Sequence, residues 1–184
     1  MRIIINDIIQ TVVRSLPQGF TLAVIISVVF EYISHKTLNG YISSLENKKN
    51  RYFIYLLTYC YMVLYRTLLC RKAIYEPLSR IWQDWGIINQ GRIKIEPSPF
   101  FGNTLMFTLL LILLMMNFAD RFKSNNHIII KCTGISFLLS LLIETTQLIT
   151  CRGTFQISDL VYNTLGGFIG SVIYIKLIDK KIDT

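Results

Sequence analysis

The chain has 184 residues, of which 52% are hydrophobic and only 16% are charged. This balance differs from that of a soluble domain of the same length, and several apolar windows approach the roughly 18 residues that a bilayer requires. The sequence therefore predicts one all-α integral membrane domain over residues 1–184. We expect a polytopic helical bundle of about five transmembrane helices with short interfacial helices.

The net charge of +8 comes mostly from Lys and Arg residues that flank the apolar runs. Membrane topology and contact with anionic lipid explain such an excess, so membrane lipids are the expected partners. Because no basic soluble face interleaved with aromatic residues is present, we expect no nucleic-acid partner.

The four cysteines and two histidines lack the paired spacing of a zinc site, so neither a metal nor a cofactor is expected. A disulfide between Cys70 and Cys151 is one alternative, but we expect both to be free thiols.

The first apolar region contains two overlapping patterns. Residues 3–16 have apolar positions at helical spacing, which suggests a helix lying in the membrane interface. Alternatively, this helix continues past Pro17 into the first span, with a kink at the proline. The first span is predicted over residues 16–33, and a tyrosine-rich second span over residues 52–69.

The longest connection runs over residues 71–102 and contains both tryptophans. Trp82 and Trp85 fall on one apolar face at helical spacing, which suits an interfacial helix or a lid packed on the bundle. Ile88 and Ile93 flank a short polar turn, which predicts a small hairpin. Further spans are predicted over residues 103–118, 128–149 and 159–178.

Five spans would place the two ends of the chain on opposite sides of the membrane. The Lys and Arg totals on the two sides are nearly equal, but those on the C-terminal side sit in short loops and span ends. The positive-inside rule applies best to such loops, so we expect a cytoplasmic C-terminus and an external turn at residues 150–158.

Polar residues concentrate where the fourth predicted span ends and the fifth begins. Glu144 and Gln147 share one helix face, and Asp159 and Asn163 share another. Ionisable groups at membrane depth are costly and usually face a protein interior or a watery cavity. This helical hairpin is therefore the predicted functional site.

Small residues follow these polar groups along the fifth predicted span. Gly166 and Gly170 form a G-x-x-x-G pair, with Gly167 beside it, and such residues let a neighbouring helix approach closely. We expect this face to pack on the fourth span and so to direct Asn163 and Asp159 toward Glu144 and Gln147.

Two interpretations of the polar residues remain open. In the first they form a buried network, in which Glu144 pairs with Arg66, and Asp159 caps its helix while it pairs with Arg152. In the second they line a pocket at the outer leaflet, where arginines hold an anionic group and a carboxylate acts as general base or orients the arginines. The predicted ligand-binding residues are Arg66, Arg71, Glu144, Gln147, Arg152, Asp159 and Asn163.

The order of these residues resembles the VanZ-like family of membrane proteins. The resemblance rests on Glu144-x-x-Gln147, Arg152, Asp159, Asn163-Thr-Leu-Gly166 and Gly170. It is supported by the stretch Tyr65–Leu69 with Arg71 and by Asn103 with Phe107, and it covers about residues 55–178. Family members often have a proline and a glycine in the span after Asn103, whereas Leu109 and Leu111 stand in that region here.

The resemblance implies a compact helical membrane bundle and a role in resistance to teicoplanin and lipoglycopeptide antibiotics. We expect an outer-leaflet polar pocket that binds an amphiphile: the lipid tail of such an antibiotic, an anionic lipid or a lipid-linked wall precursor. The alternative is a membrane enzyme acting on a lipid-borne cell-envelope substrate, with Glu144 or Asp159 as acid or base. A transporter has little support, since the chain shows no internal repeat.

Overall fold

The computed structural model describes residues 2–35, 48–82, 85, 88–89, 92–93, 97–122 and 124–178. The helices and strands in these ranges are α1 Arg2–His35, α2 Lys48–Leu64, β1 Ile88–Asn89, β2 Arg92–Ile93, α3 Pro97–Phe118, α4 Asn125–Thr150 and α5 Ile157–Ile173. A π-helical turn extends α2 over Tyr65–Leu69, another extends α5 over Tyr174–Ile178, and a 3₁₀ turn follows α3 at Ala119–Arg121. The predicted helical bundle is confirmed.

Within the described ranges, four helical segments are long and apolar enough to cross a membrane: Ile9–Phe30, Lys48–Leu69, Phe100–Arg121 and Asn125–Thr150. They correspond to the first four predicted spans, and they indicate a membrane protein. Helix α5 is not among the four, and it packs extensively on both α3 and α4. Its buried face consists mainly of glycine and polar side chains, which suits a helix enclosed by other helices.

Helix α1 is continuous from Arg2 to His35, so the separate interfacial helix expected over residues 3–16 is wrong. The alternative is found, in which the helix passes through Pro17. Just beyond the proline, α1 packs tightly on α2, where a Cβ added at Gly19 would lie 2.9 Å from Cδ1 of Tyr61. The Tyr61 hydroxyl also donates a 2.8 Å hydrogen bond to Oε1 of Gln18. These contacts attach α1 to α2 directly beyond the proline, which removes a backbone donor from α1.

The hydrophobic core lies mainly between α2, α3 and α4, with one contribution from the end of α5. Phe107, Leu111 and Met115 from α3 are fully buried there, one helical turn apart. They pack with Cys132 of α4 and with Tyr174 beyond α5. This core fixes α3 against both helices of the predicted functional hairpin.

Residues 71–82, here called the strap, form turns rather than the predicted interfacial helix. Several of their backbone groups bond to the α4–α5 turn and the start of α5: Ile74 N–H donates to the Cys151 carbonyl (2.8 Å), and Ile157 N–H donates to the Ile81 carbonyl (3.2 Å). The strap therefore packs on the bundle, as the lid alternative predicted. The small hairpin is also present, with Ile88 paired to Ile93.

Helix α3 begins at Pro97, six residues before the predicted start of the third span. Proline is accepted in the first helical turn, because the backbone N–H groups there have no helical partner. All four cysteines are free, as expected, so the Cys70–Cys151 disulfide is not formed.

Candidate functional site

A tight turn brings the polar ends of α4 and α5 to the same level. Cys151 adopts a left-handed conformation (φ 50°), and its N–H bonds to the carbonyls of Gln147 and Leu148. Gly153 also has a positive φ of 103°, which glycine adopts without strain. The chain therefore reverses over a few residues, and the last turns of α4 lie beside the first turns of α5.

Glu144 is almost completely buried, at 1% exposure. Its Oε2 accepts a 2.8 Å hydrogen bond from the backbone N–H of Gln156, at the start of α5. The charged groups with which this carboxylate interacts electrostatically are Asp159 and Arg71. The expected ion pair with Arg66 is therefore wrong, since a backbone donor supplies the partner of Glu144.

Gln147 lies one turn beyond Glu144 and is equally buried. Its side-chain N–H donates a 2.9 Å hydrogen bond to the carbonyl of Thr67, which joins α4 to the π-helical turn after α2. Its Oε1 has no hydrogen-bond partner, and a Cβ added at Gly153 would lie 3.0 Å from it. Cδ of Arg71 would lie 3.6 Å from the same point, so the Arg71 stem passes close to the turn.

Asp159 is not the N-cap of α5, as one interpretation of the sequence expected. That position is held by Gln156, whose side chain makes no capping bond, while Asp159 lies in the first helical turn. A carboxylate is favourable there because of the helix dipole. Oδ1 of Asp159 accepts a 2.6 Å hydrogen bond from the side chain of Asn103 on α3.

Asn163 lies one turn further along α5. Its side-chain N–H donates a 2.9 Å hydrogen bond to Oγ of Ser140 on α4, and its Oδ1 has no hydrogen-bond partner. Together with Glu144 and Asp159, this pair completes a buried polar layer that joins α3, α4 and α5.

The glycines of α5 contact two different helices. A Cβ added at Gly170 would lie 2.6 Å from the carbonyl oxygen of Thr108, and one at Gly166 would meet the carbonyl of Thr104. Both contacts are on α3, so the expectation that the G-x-x-x-G face packs on the fourth span is wrong. Gly167 is the residue that faces α4, against Ser136. The small residues thus let α5 pack closely against both α3 and α4.

The three predicted arginines all lie at this end of the bundle. Arg71 and Arg152 are exposed, and the strap and the turn pair at Ala73 and Arg152. Arg66 is partly buried and lies in the π-helical turn after α2.

A cavity of about 220 Å³ lies between α1, α2 and α3. Arg66 is the only one of the predicted binding residues in its lining, and the carboxylates of Glu144 and Asp159 are not part of it. The walls are mostly apolar, and they are formed by Thr11, Val12, Tyr59, Met62, Val63, Arg66, Phe101, Gly102, Leu105, Met106 and Leu109.

A model of the VanZ/LLP1 family matches residues 20–179, which is most of the chain. The chain belongs to the VanZ/LLP1 family. Comparisons with curated proteins and with solved structures gave no match. The family match extends further toward the N-terminus than the resemblance seen from the motifs, and it includes the polar layer, the strap and most of the cavity lining.

Three partners in the polar layer of this VanZ/LLP1 protein were missed from sequence: Ser140, Gln156 and the carbonyl of Thr67. Ser140 lies four residues before Glu144, so it could have been found on the same helix face. Gln156 and Thr67 bond through backbone atoms, whose partners do not depend on residue type. No sequence pattern could have identified them.

Chemically, the VanZ/LLP1 polar layer is suited to holding helices in register. Glu144 and Asp159 each accept a hydrogen bond from the protein, and both are more than nine-tenths buried. No group of three or more His, Cys, Asp or Glu side chains close enough to hold a metal ion occurs among residues that the structure describes. The cavity beside Arg66, by contrast, offers an apolar space next to a cation.

Proposed function

We propose that this VanZ/LLP1 family member binds the apolar tail of an amphiphile in the cavity between α1, α2 and α3. Through this binding it reduces susceptibility to teicoplanin and lipoglycopeptide antibiotics. The observation that carries the proposal is the presence of Arg66 in the lining of an otherwise largely apolar cavity. An amphiphile has the matching composition, with an apolar tail and a polar or anionic head.

The lipid-facing edge of the cavity supports entry of a tail from the hydrocarbon of the membrane. Phe101, Leu105 and Leu109 follow one another at four-residue intervals on α3 and are 61%, 53% and 42% exposed. In a spanning helix such a stripe faces lipid tails, so an acyl chain can reach the cavity without crossing water.

The size of the cavity favours a tail over a whole antibiotic. Pockets for drug-sized ligands are typically about 300–1,000 Å³, whereas this cavity measures about 220 Å³. An alkyl segment fits such a volume, and each methylene group that it buries contributes about 0.8 kcal/mol. The bulky glycopeptide head would remain outside.

Arg66 is the proposed contact for the head. It lies near the end of the span Lys48–Leu69, where the chain leaves the hydrocarbon. A guanidinium at that depth forms paired hydrogen bonds to phosphate or carboxylate. Arg71 and Arg152 are exposed at the same end of the bundle, outside the cavity lining. Glu144, Gln147, Asp159 and Asn163 support the site as positioning residues.

The proposed effect on resistance follows from the way a lipid tail acts. A tail concentrates an antibiotic at the membrane, and one acyl chain gives only marginal, reversible binding there. A protein that binds the tail removes it from the bilayer. The antibiotic then has a lower effective concentration at its target. An anionic lipid or a lipid-linked wall precursor has the same overall chemistry and competes for the site.

Titration of the purified protein with lipid-tailed and tail-less glycopeptides tests the proposal. We expect saturable binding of the tailed compound only, and we expect added anionic lipid to weaken it. Negligible binding of both compounds, with no lipid co-purifying with the protein, would contradict the proposal.

We further propose that five helices cross the cell membrane and that the C-terminus is cytoplasmic. Cys70 and Cys151 are exposed free thiols at the end of the bundle that this orientation places outside. A membrane-impermeant maleimide should therefore label intact cells that carry the wild-type protein. Variants with Cys70→Ser and Cys151→Ser together should lose the label. Labelling that appears only after cell lysis would indicate the opposite orientation.

A further inference from the structure

The outward face of the strap combines exposed aromatic and basic side chains. Tyr75 and Trp82 are 103% and 72% exposed, and Leu78 between them is also exposed. Large exposed apolar side chains that lie close together mark a contact surface rather than an ordinary solvated loop.

The depth of this face is fixed by its hydrogen bonds to the bundle. The span Asn125–Thr150 ends one residue before Cys151, whose carbonyl accepts the bond from Ile74. Phe155 N–H donates a further bond of 2.9 Å to the Pro77 carbonyl. The strap is therefore held where a spanning helix leaves the hydrocarbon, at the level of the lipid headgroups.

The charge of this region is predominantly positive. Arg71, Lys72, Arg80 and Arg152 are all exposed, whereas Glu76 is the one acidic residue within residues 69–82 and 149–155. Basic side chains at headgroup depth attract anionic phospholipids, and aromatic rings prefer the same level of the membrane.

We propose that the strap, with Arg152 beside it, is a binding surface for the headgroups of anionic phospholipids in the surrounding leaflet. Lys72 and Arg80 contact the phosphates, while Tyr75 and Trp82 enter the interface between headgroups and acyl chains. This surface is separate from the cavity at Arg66, and the proposal does not depend on amphiphile binding there.

The chain has two tryptophans, which makes Trp82 a usable reporter. Trp85 is partly buried and lies edge-on against Tyr162, with ring centroids 6.2 Å apart. A Trp85→Phe background keeps an aromatic ring in that contact and leaves Trp82 as the only indole. Its fluorescence is quenched by bromine on the acyl chains of neighbouring lipids.

The test uses the full chain in nanodiscs of mixed phosphatidylglycerol and phosphatidylcholine, with bromine on only one of the two lipids. We expect brominated phosphatidylglycerol to quench Trp82 more strongly than brominated phosphatidylcholine at the same mole fraction. High salt should remove the difference, since it screens headgroup attraction. Equal quenching by the two lipids at low salt would overturn the proposal, as would the absence of quenching by either.

A double variant locates the attraction. Lys72→Gln with Arg80→Gln should reduce the preference for phosphatidylglycerol, by about fivefold for each charge removed. The matched control, Arg51→Gln with Lys131→Gln, removes two exposed charges near the opposite ends of the spans and should leave the preference unchanged. The proposal is overturned if the control reduces the preference as much as the strap variant does.

Discussion

The side chain of Asn103 donates a 2.6 Å hydrogen bond to Oδ1 of Asp159, and this bond joins α3 to the first turn of α5. Asp159 is 6% exposed, so its carboxylate depends on partners from the protein. The bond links the helix that forms one wall of the cavity to the helical hairpin that carries the polar layer. Asn103 therefore connects the two parts of the site.

Removing this donor should destabilise the protein. Asn103→Ala takes a hydrogen bond from a buried carboxylate, and such bonds are worth about 1.5–3 kcal/mol. We expect a loss of about 2 kcal/mol in the free energy of unfolding, measured by denaturation in detergent. Asn126→Ala is the control, since Asn126 is exposed at the start of α4, and it should change stability by less than about 0.5 kcal/mol. Equal stability of the two variants would show that the Asn103–Asp159 bond does not stabilise the fold.

The close contact between α5 and α3 predicts that two Gly→Ala substitutions change stability in opposite directions. Gly170→Ala places a Cβ 2.6 Å from a backbone carbonyl that cannot move alone, so we expect a loss of about 1–3 kcal/mol. Gly134→Ala has no heavy atom within 4 Å of the added Cβ, and it should gain up to about 1 kcal/mol from helix propensity. Thermal unfolding in the same detergent compares them. A stabilising Gly170→Ala would rule out the tight packing.

Glu144 distinguishes a positioning role from acid–base chemistry. Glu144→Gln keeps an acceptor for the Gln156 N–H, and we expect it to retain both the fold and amphiphile binding. Glu144→Ala leaves that N–H without its acceptor and should lose about 1–3 kcal/mol of stability. Unfolding and binding are measured on both variants. If Glu144→Gln abolished turnover of a lipid-borne substrate while binding and stability stayed unchanged, the enzyme alternative would replace the positioning role.

The fold was largely predictable because bilayer length and apolar composition are local properties of a sequence. The four long apolar helices were found in this way, and the small hairpin was found from its polar turn. The continuity of α1 was left open, because it depends on packing of Gly19 against α2 rather than on the local effect of Pro17. The strap was predicted as a helix because its apolar spacing is helical, yet its backbone groups bond to the α4–α5 turn.

The site was only partly predictable for a related reason. The spacing of Glu144, Gln147, Asp159 and Asn163 correctly places them on helix faces, but spacing does not say which neighbour each face meets. The G-x-x-x-G pair could pack on either adjacent helix, and it meets α3. The cavity joins three helices that are distant in sequence, so of its lining only Arg66 was predicted as a binding residue.

Filling the cavity tests the central proposal most directly. A Cβ added at Gly102 would lie 3.8 Å from Nη2 of Arg66, which leaves space for a larger side chain to extend into the cavity. Gly134→Leu makes the same exchange at an open position on α4 and serves as the control. We predict that Gly102→Leu weakens binding of a lipid-tailed glycopeptide by about tenfold or more, which is at least about 1.4 kcal/mol, while Gly134→Leu binds like the wild type. Wild-type affinity in a folded Gly102→Leu variant would contradict the proposed tail site.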